Sequence, residues 1–345
     1  MAGVQRGPGN LITDVEGISV GNAEDIRALS GVTVLVPQWP VVASCDVRGG
    51  APGTRETDAL DPACLVTAIH GVVLSGGSVF GLDAASAVVS WLAHRGIGLT
   101  FGAKPLPAPV VPAAVLFDLA NGGEKSWGMD PPYRALALRA CAALGQGFSL
   151  GNAGAGLGAL AGRLKGGLGS ASSVWNGYTI GALVAVNAMG SAIAPGTGEL
   201  WAAGYAIGDE LPSPARAVSS GGSLTEATKF EALSEALGAG TNTTIAIVAT
   251  DAVITKSEAR RIAIMAHDGM ARAIRPTHTP FDGDTIFALA TGKRPLAEPR
   301  ERTLSHLGSI AADTLTRAIG RALWEAETIG GWASYRDYLG TRPLS

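Results

Sequence analysis

The stretch Tyr178-Thr-Ile-Gly-Ala-Leu-Val-Ala-Val-Asn187 constrains the fold most, because it runs without a charge and is apolar at most positions. A continuous apolar run of this length reads as a buried strand. A second strand-forming run, Thr244 to Thr250, and a third, Thr285 to Ala290, follow later. The third begins directly at the paired aspartates Asp282 and Asp284. Val32 to Val36 and Val41 to Cys45 read as earlier strands, before a dense turn region from Asp46 to Pro62. Between the strands lie helices. Leu82 to His94 places Leu82, Ala85, Val88, Val89 and Leu92 on one face. A second helix is predicted across Pro131 to Leu144, opened by Pro and ended by Gly145. A third is opened by the box Thr255-Lys-Ser-Glu258 and runs to about Ile274, and the last runs from Leu304 to about Glu325. Apolar strands alternating with helices predict layers of sheet covered by helices. Residues 195–240, rich in Pro, Gly and Ser, read as a surface excursion and not a domain boundary, since strands resume at once.

Composition narrows the function classes. Of 345 residues 47% are hydrophobic, ample for a core, and a net charge of −3 over only 16% charged residues offers no basic patch to track phosphates. Nucleic acid is therefore excluded as a partner and a small molecule expected. Cys45, Cys64 and Cys141 form no CxxC, and the histidines at 70, 94, 267, 278 and 306 are scattered. Neither a disulfide framework nor a zinc site is supported. The first ten residues lack the basic-then-apolar pattern of a secretory signal, and no uninterrupted apolar run reaches membrane-spanning length, so a cytoplasmic location is expected. The 48 glycines follow no fixed period and sit between apolar segments, which points to tight turns and close backbone approaches.

Several motifs invite chemistry. Gly156-Leu-Gly158-Ala-Leu-Ala161 fits the GxGxxA form of a dinucleotide fingerprint, but no Asp or Glu occurs between Asp130 and Glu199 to hold a ribose. A glycine-lined wall or close strand packing accounts for it. His267 and His278 lie near Asp268 and Asp282, yet no GxSxG elbow accompanies them, and both read as structural or surface histidines. Asp282 and Asp284 flank Gly283, so they either point toward one site or form a solvated Asp-Gly turn. Gly238-Ala-Gly-Thr-Asn242-Thr243-Thr244 is either a loop entering a strand or a scissile stretch. One chemistry joins these pieces. An N-terminal Thr243 carries its own base in its α-amine, with a reference pKa of about 7.7–8.0. The two aspartates can hold that amine, the Asn187 amide can donate to a developing oxyanion, and Arg163 or Lys165 can favour the alkoxide-like state. That chemistry requires no metal or organic cofactor.

The blocks Gly49–Pro62 (GGAPGTRETDALDP), Leu74–Ala85 (LSGGSVFGLDAA), Gly151–Ala159 (GNAGAGLGA), Asn242–Asp251 (NTTIAIVATD) and Phe281–Thr291 (FDGDTIFALAT) resemble, in this order, the self-processing aminopeptidases. That family includes L-aminopeptidase/D-esterases, β-peptidyl aminopeptidases and endo-type nylon-oligomer hydrolases. The resemblance spans nearly the whole chain. It implies an αββα four-layer sandwich forming a single catalytic domain over 1–345, cut between Asn242 and Thr243 into chains 1–242 and 243–345 that stay together. It implies Thr243 as nucleophile, Asn187 as the oxyanion or positioning asparagine, and Asp282 with Asp284 as the pair holding the nucleophile and its amine. A homotetramer or higher homo-oligomer, acting on small peptides or amides, follows from the same resemblance. Two departures stand out. Ala161-Gly162-Arg163 replaces the Ala-Gly-Lys of relatives, with Lys165 two positions on, and Phe117 stands where some relatives carry a tyrosine. The expected activity is N-terminal-nucleophile amide hydrolysis. The rivals are acyl transfer of the ornithine acetyltransferase type and a non-catalytic binding protein on the same scaffold. Thr244 is the nearest competitor as nucleophile.

Overall fold

The structure is a computed structural model that describes residues 3–102, 106–213 and 242–340. The predicted flexible Gly238-Ala-Gly240 lies outside these residues. Strands are β1 (Gln5–Arg6), β2 (Ile18–Asp25), β3 (Ser30–Pro37), β4 (Val42–Val47), β5 (Thr54–Arg55), β6 (Val72–Ser75), β7 (Ala113–Val115), β8 (Leu160–Ala161), β9 (Leu164–Lys165), β10 (Gly167–Trp175), β11 (Tyr178–Asn187), β12 (Thr243–Val253) and β13 (Thr285–Pro295). Helices are α1 (Asp83–His94), α2 (Tyr133–Ala142), α3 (Lys256–Ala273), α4 (Arg300–Trp324) and α5 (Tyr335–Gly340).

One sheet has the order β1-β10-β11-β12-β13-β4, a second the order β2-β3-β6-β7-β5, and β8 with β9 forms a small hairpin. The two-residue period of a strand sorts each side chain to one of two cores. Along β12, Ile245, Ile247 and Ala249 meet Val20, Leu35 and Leu74 of the second sheet. Ala246 and Val248 of the same strand face α3 and α4. The second sheet turns Val32, Val34 and Val73 outward onto α1 and α2. The layers are therefore helices, sheet, sheet, helices: the αββα sandwich. The central strands are apolar on both faces because neither face meets water.

Local signals act as expected in several places. The Thr255 hydroxyl accepts from the Glu258 N–H at 3.2 Å, and the Glu258 carboxylate accepts from the Thr255 N–H at 2.7 Å, which completes the box that opens α3. The long helix α4, which the short α5 follows, differs from its predicted start at Leu304 and begins at Arg300. Pro299 sits just before it, where the missing N–H costs nothing because first-turn donors have no helical partner. The described part of 195–240 is also not wholly a surface excursion. Trp201, Glu210 and Leu211 are buried, and the side chains of Ala202 and Leu211 fill the space a Cβ on Gly320 of α4 would need. Among the described residues no helix is long and apolar enough to cross a membrane.

Candidate active site

Sheet register assembles the site. Asn187, the last residue of β11, stands opposite Thr243, the first of β12. Strand β13 runs parallel to β12 with Thr285 beside Ile245, and the crossover between them that parallel pairing demands contains α3. Asp284 therefore arrives at the same end of the sheet as Thr243. On the far side of β13, Val47 of β4 pairs with Thr285, and the chain leaving β4 straps the aspartate turn. The N–H groups of Arg48 and Ala51 donate to the carbonyls of Asp284 and Asp282 at 2.9 and 2.8 Å. A Cβ on Gly49 would lie 2.3 Å from the Asp282 carbonyl oxygen, so only glycine allows this approach.

Thr243 is 3% exposed. Its hydroxyl donates to the carbonyl oxygen of Asn242, the residue before it. That oxygen also accepts the Gly283 N–H at 3.0 Å. Thr244 presents a different picture: its N–H donates to Asp284 Oδ1 at 2.8 Å, while its buried hydroxyl has no hydrogen-bond partner among the described residues. The Asn187 amide is fixed beside Thr243. Its Oδ1 accepts from the Leu160 N–H at 2.9 Å and from Asn121 Nδ2 at 3.2 Å, and its Nδ2 donates to the Phe117 carbonyl at 2.8 Å. Phe117 thus contributes a backbone acceptor at the position where a side-chain hydroxyl is missing. Asn121 carried no signal in the sequence beyond its place in an Asn-Gly-Gly turn.

The two aspartates are buried, not a solvated turn. Asp282 accepts from the Thr279 N–H and hydroxyl at 2.9 and 2.6 Å and from the Met189 N–H at 3.2 Å. Burial, reinforced by the charge of Asp284, pushes its carboxyl above the usual range. Asp284 Oδ2 accepts from the Thr277 hydroxyl at 3.0 Å, the His278 N–H at 3.0 Å and His278 Nδ1 at 2.8 Å. Set aside from the sequence as a structural or surface residue, His278 therefore belongs to the cluster. The His267 ring packs edge-on against it, centroids 4.8 Å apart. Their absence from any hydrolase motif hid both.

The two candidate cations separate. Ala161 pairs with Leu164, so Gly162 and Arg163 form the two-residue tip of the β8–β9 hairpin, with Gly162 at φ 57°. The exposed Arg163 lines a surface cavity of about 440 Å³ with Leu164, Ser191, Ile193 and Tyr338. Lys165 is 1% exposed, and its ammonium donates to the carbonyls of Gly156, Ala159 and Gly166 at 2.8–2.9 Å. The loop it braces is the one whose Leu160 N–H holds Asn187. The glycines at 154–158 themselves form a short 3₁₀ turn over Gly154–Gly156, and strand β8 follows in place of the helix a dinucleotide site requires. Among the described residues no group of three or more His, Cys, Asp and Glu could hold a metal ion.

Two packed sheets sheathed by helices make a fold similar to that of the N-terminal-nucleophile hydrolases. The chain belongs to peptidase family S58, whose model matches residues 10–336, and it is a hydrolase of peptide or amide bonds. It is 42% identical over 351 residues to an uncharacterized aminopeptidase of Mycobacterium tuberculosis, covering 95% of this chain and 97% of that one. It is 28% identical over 320 residues to a 6-aminohexanoate-oligomer endohydrolase of Agromyces, covering 91% and 83%. The fold is similar to a Burkholderia beta-aminopeptidase, with a TM-score of 0.67 at 21% identity over 99% and 98% of the chains. It is similar also to an L-aminopeptidase D-Ala-esterase/amidase of Ochrobactrum anthropi, described as a variant of the Ntn hydrolase fold, with a TM-score of 0.67 at 24% identity over 94% and 88%. Family membership sets aside the non-catalytic reading.

Proposed function

We propose that the protein is a self-processing N-terminal-threonine amide hydrolase that releases the amino-terminal residue of small peptides or amides. The observation that carries this reading is the Thr243 hydroxyl seated on the Asn242 carbonyl, which at the same time accepts the Gly283 N–H at 3.0 Å. Attack of Thr243 Oγ on the Asn242 carbonyl carbon breaks the Asn242–Thr243 amide and forms an ester. The Gly283 N–H supports the developing oxyanion. Water then hydrolyses the ester, leaving an Asn242 carboxylate and restoring the hydroxyl beside a free Thr243 amine. Proximity drives the first step, since well-oriented intramolecular attack has an effective molarity of about 10⁵–10⁸ M.

In later turnovers the Thr243 amine takes the Oγ proton as Oγ attacks the substrate carbonyl, and passes it to the departing amine. The acyl-enzyme is then hydrolysed. Asp284, already on the N–H of Thr244, and Asp282 hold the amine, and Asn187 is a fixed amide donor beside the nucleophile. Lys165 acts as a positioning cation behind Asn187, and Arg163 lies outside this machinery. The aminopeptidase relatives support an amino-terminal specificity, and the oligomer hydrolases support linear amides as the wider class. The active form we propose is a homotetramer or higher homo-oligomer, which light scattering tests.

Mass spectrometry and N-terminal sequencing test the cut. Fragments 1–242 and 243–345 are expected, the second beginning at Thr243. Thr243→Ala leaves one folded, inactive chain and Thr243→Ser still cuts. A fragment beginning at Thr244 would move the nucleophile, and active enzyme with no fragment would overturn the mechanism. Supplying acceptor amines with an amino-acyl p-nitroanilide separates hydrolysis from acyl transfer.

A further inference from the structure

The surroundings of Asp284 raise a problem for an amine base. A carboxylate within about 4–6 Å stabilises an ammonium, so an amine held by Asp284 beside Asp282 would keep its proton and could not accept one from Oγ. His278 is placed to oppose this. Its backbone N–H and its Nδ1 both reach Asp284 Oδ2, at 3.0 and 2.8 Å. Because a carboxylate only accepts, Nδ1 carries the proton. His278 adopts φ 56°, a left-handed conformation uncommon outside Gly, Asn, Asp and His. Its side chain is 20% exposed against 1% for Asp284, so the imidazole covers the carboxylate from the solvent side.

The charged groups around His278 leave it turned to Asp284. From α3, His267 meets the ring edge-on, with its Nε2 3.1 Å from the Asp46 carbonyl oxygen and 3.5 Å from the Asp46 carboxylate of β4. Asp46 is itself paired with Arg48 at 2.7 Å. Burial lowers the His267 imidazole to about 4, so it stands beside His278 as a neutral ring. Asp282 lies in the same turn, its carboxylate held by the N–H and hydroxyl of Thr279, the residue after His278.

We propose that His278 is a positioning residue that draws charge from Asp284 through its Nδ1–H bond and so keeps the Thr243 amine neutral enough to act as the base. This rests on the function proposed above. The test compares kcat/KM against pH for the processed parent, His278→Gly and His278→Asn. Glycine keeps the positive φ and the backbone N–H but removes the ring. Asparagine tolerates the same φ and carries an amide N–H near the place of Nδ1. The acid limb is expected to move up by about one pH unit in the glycine variant, with kcat falling while KM stays within about two-fold, and asparagine should bring it back toward the parent. The pH dependence of chemical labelling of the Thr243 amine, read by mass, should shift in parallel, and it remains readable if turnover is lost. If His278→Gly is not processed, His278→Asp carries the test: aspartate tolerates the same φ but offers Asp284 no side-chain N–H, so its limb should lie above the parent's, and a limb on the parent's would reduce His278 to a loop brace. Superimposed limbs for the glycine variant and parent, or asparagine behaving as glycine, would reduce His278 to a loop brace. A parent protein without a Thr243 N-terminus would overturn the proposed function and this role with it.

Discussion

Gly283→Ala tests the self-cutting geometry with one methyl group. Gly283 is not among the glycines at positive φ, so its backbone suits alanine. The added Cβ would nevertheless lie 2.7 Å from Thr243 Oγ1 and 2.9 Å from the Ala51 carbonyl oxygen, well inside the 3.4 Å at which such contacts become ordinary. Ala51 is held by its own N–H on Asp282 O at 2.8 Å, so the backbone side is stiff and the Thr243 side chain must yield. A staggered rotation takes Oγ off the Asn242 carbonyl, and any retreat of the turn lengthens the Gly283 N–H contact with the same oxygen. Loss of one oxyanion donor slows acyl chemistry by about 10²–10³, or about 2.7–4 kcal/mol. Processing should therefore slow at least about 100-fold, while overpacking costs about 1–3 kcal/mol of stability. A time course of fragment appearance by denaturing gel, with thermal unfolding measured in parallel, separates the two effects. Cutting at the parental rate in the folded variant would refute the confinement of Thr243 Oγ against Asn242.

Replacing Asp282 or Asp284 with Ala should lower kcat more than it raises KM; a raised KM with unchanged kcat in steady-state kinetics would make them substrate contacts instead. Glu258 is held to about 2 by its hydrogen bonds to Arg300 at 2.6 and 2.7 Å and by the Thr255 cap. Its folded value is depressed, so its contribution is present above the unfolded value near 4.3 and is lost as pH falls toward about 2. Glu258→Ala should cost about 0.5–1 kcal/mol at pH 7, the range of a solvent-screened ion pair, and the difference in Tm from the parent should close as the melts are moved toward pH 2. Glu210 and Arg317 form a buried bidentate pair at 2.6 and 2.7 Å, with side chains 0% and 1% exposed. Leaving Arg317 unpaired by Glu210→Ala should cost about 3–5 kcal/mol, and an unchanged Tm would show that the guanidinium finds another partner.

What the sequence determined by itself is whatever depends on near neighbours. The apolar run 178–187, the face of Asp83–His94 and the Thr255–Glu258 box each carry their structure in a few adjacent residues, since periodicity and capping are local energies. Thr243 and the Asp282–Gly283–Asp284 turn were visible as candidates for the same reason. Tertiary structure decided which candidates meet. The opposition of Asn187 to Thr243 is a register across strands separated by 55 residues of chain, and hydrogen-bond pairing at that separation leaves no local trace. Arg163 and Lys165 look interchangeable as two cations two positions apart, yet a hairpin tip turns one toward solvent while the next strand buries the other against three carbonyls. His278 reads as an ordinary loop histidine until its left-handed backbone and Asp284 are seen together. Local propensity can propose a nucleophile, but only the packing of two sheets brings distant backbone groups within hydrogen-bonding reach of it, because those contacts are held by the core and not by the residues that make them.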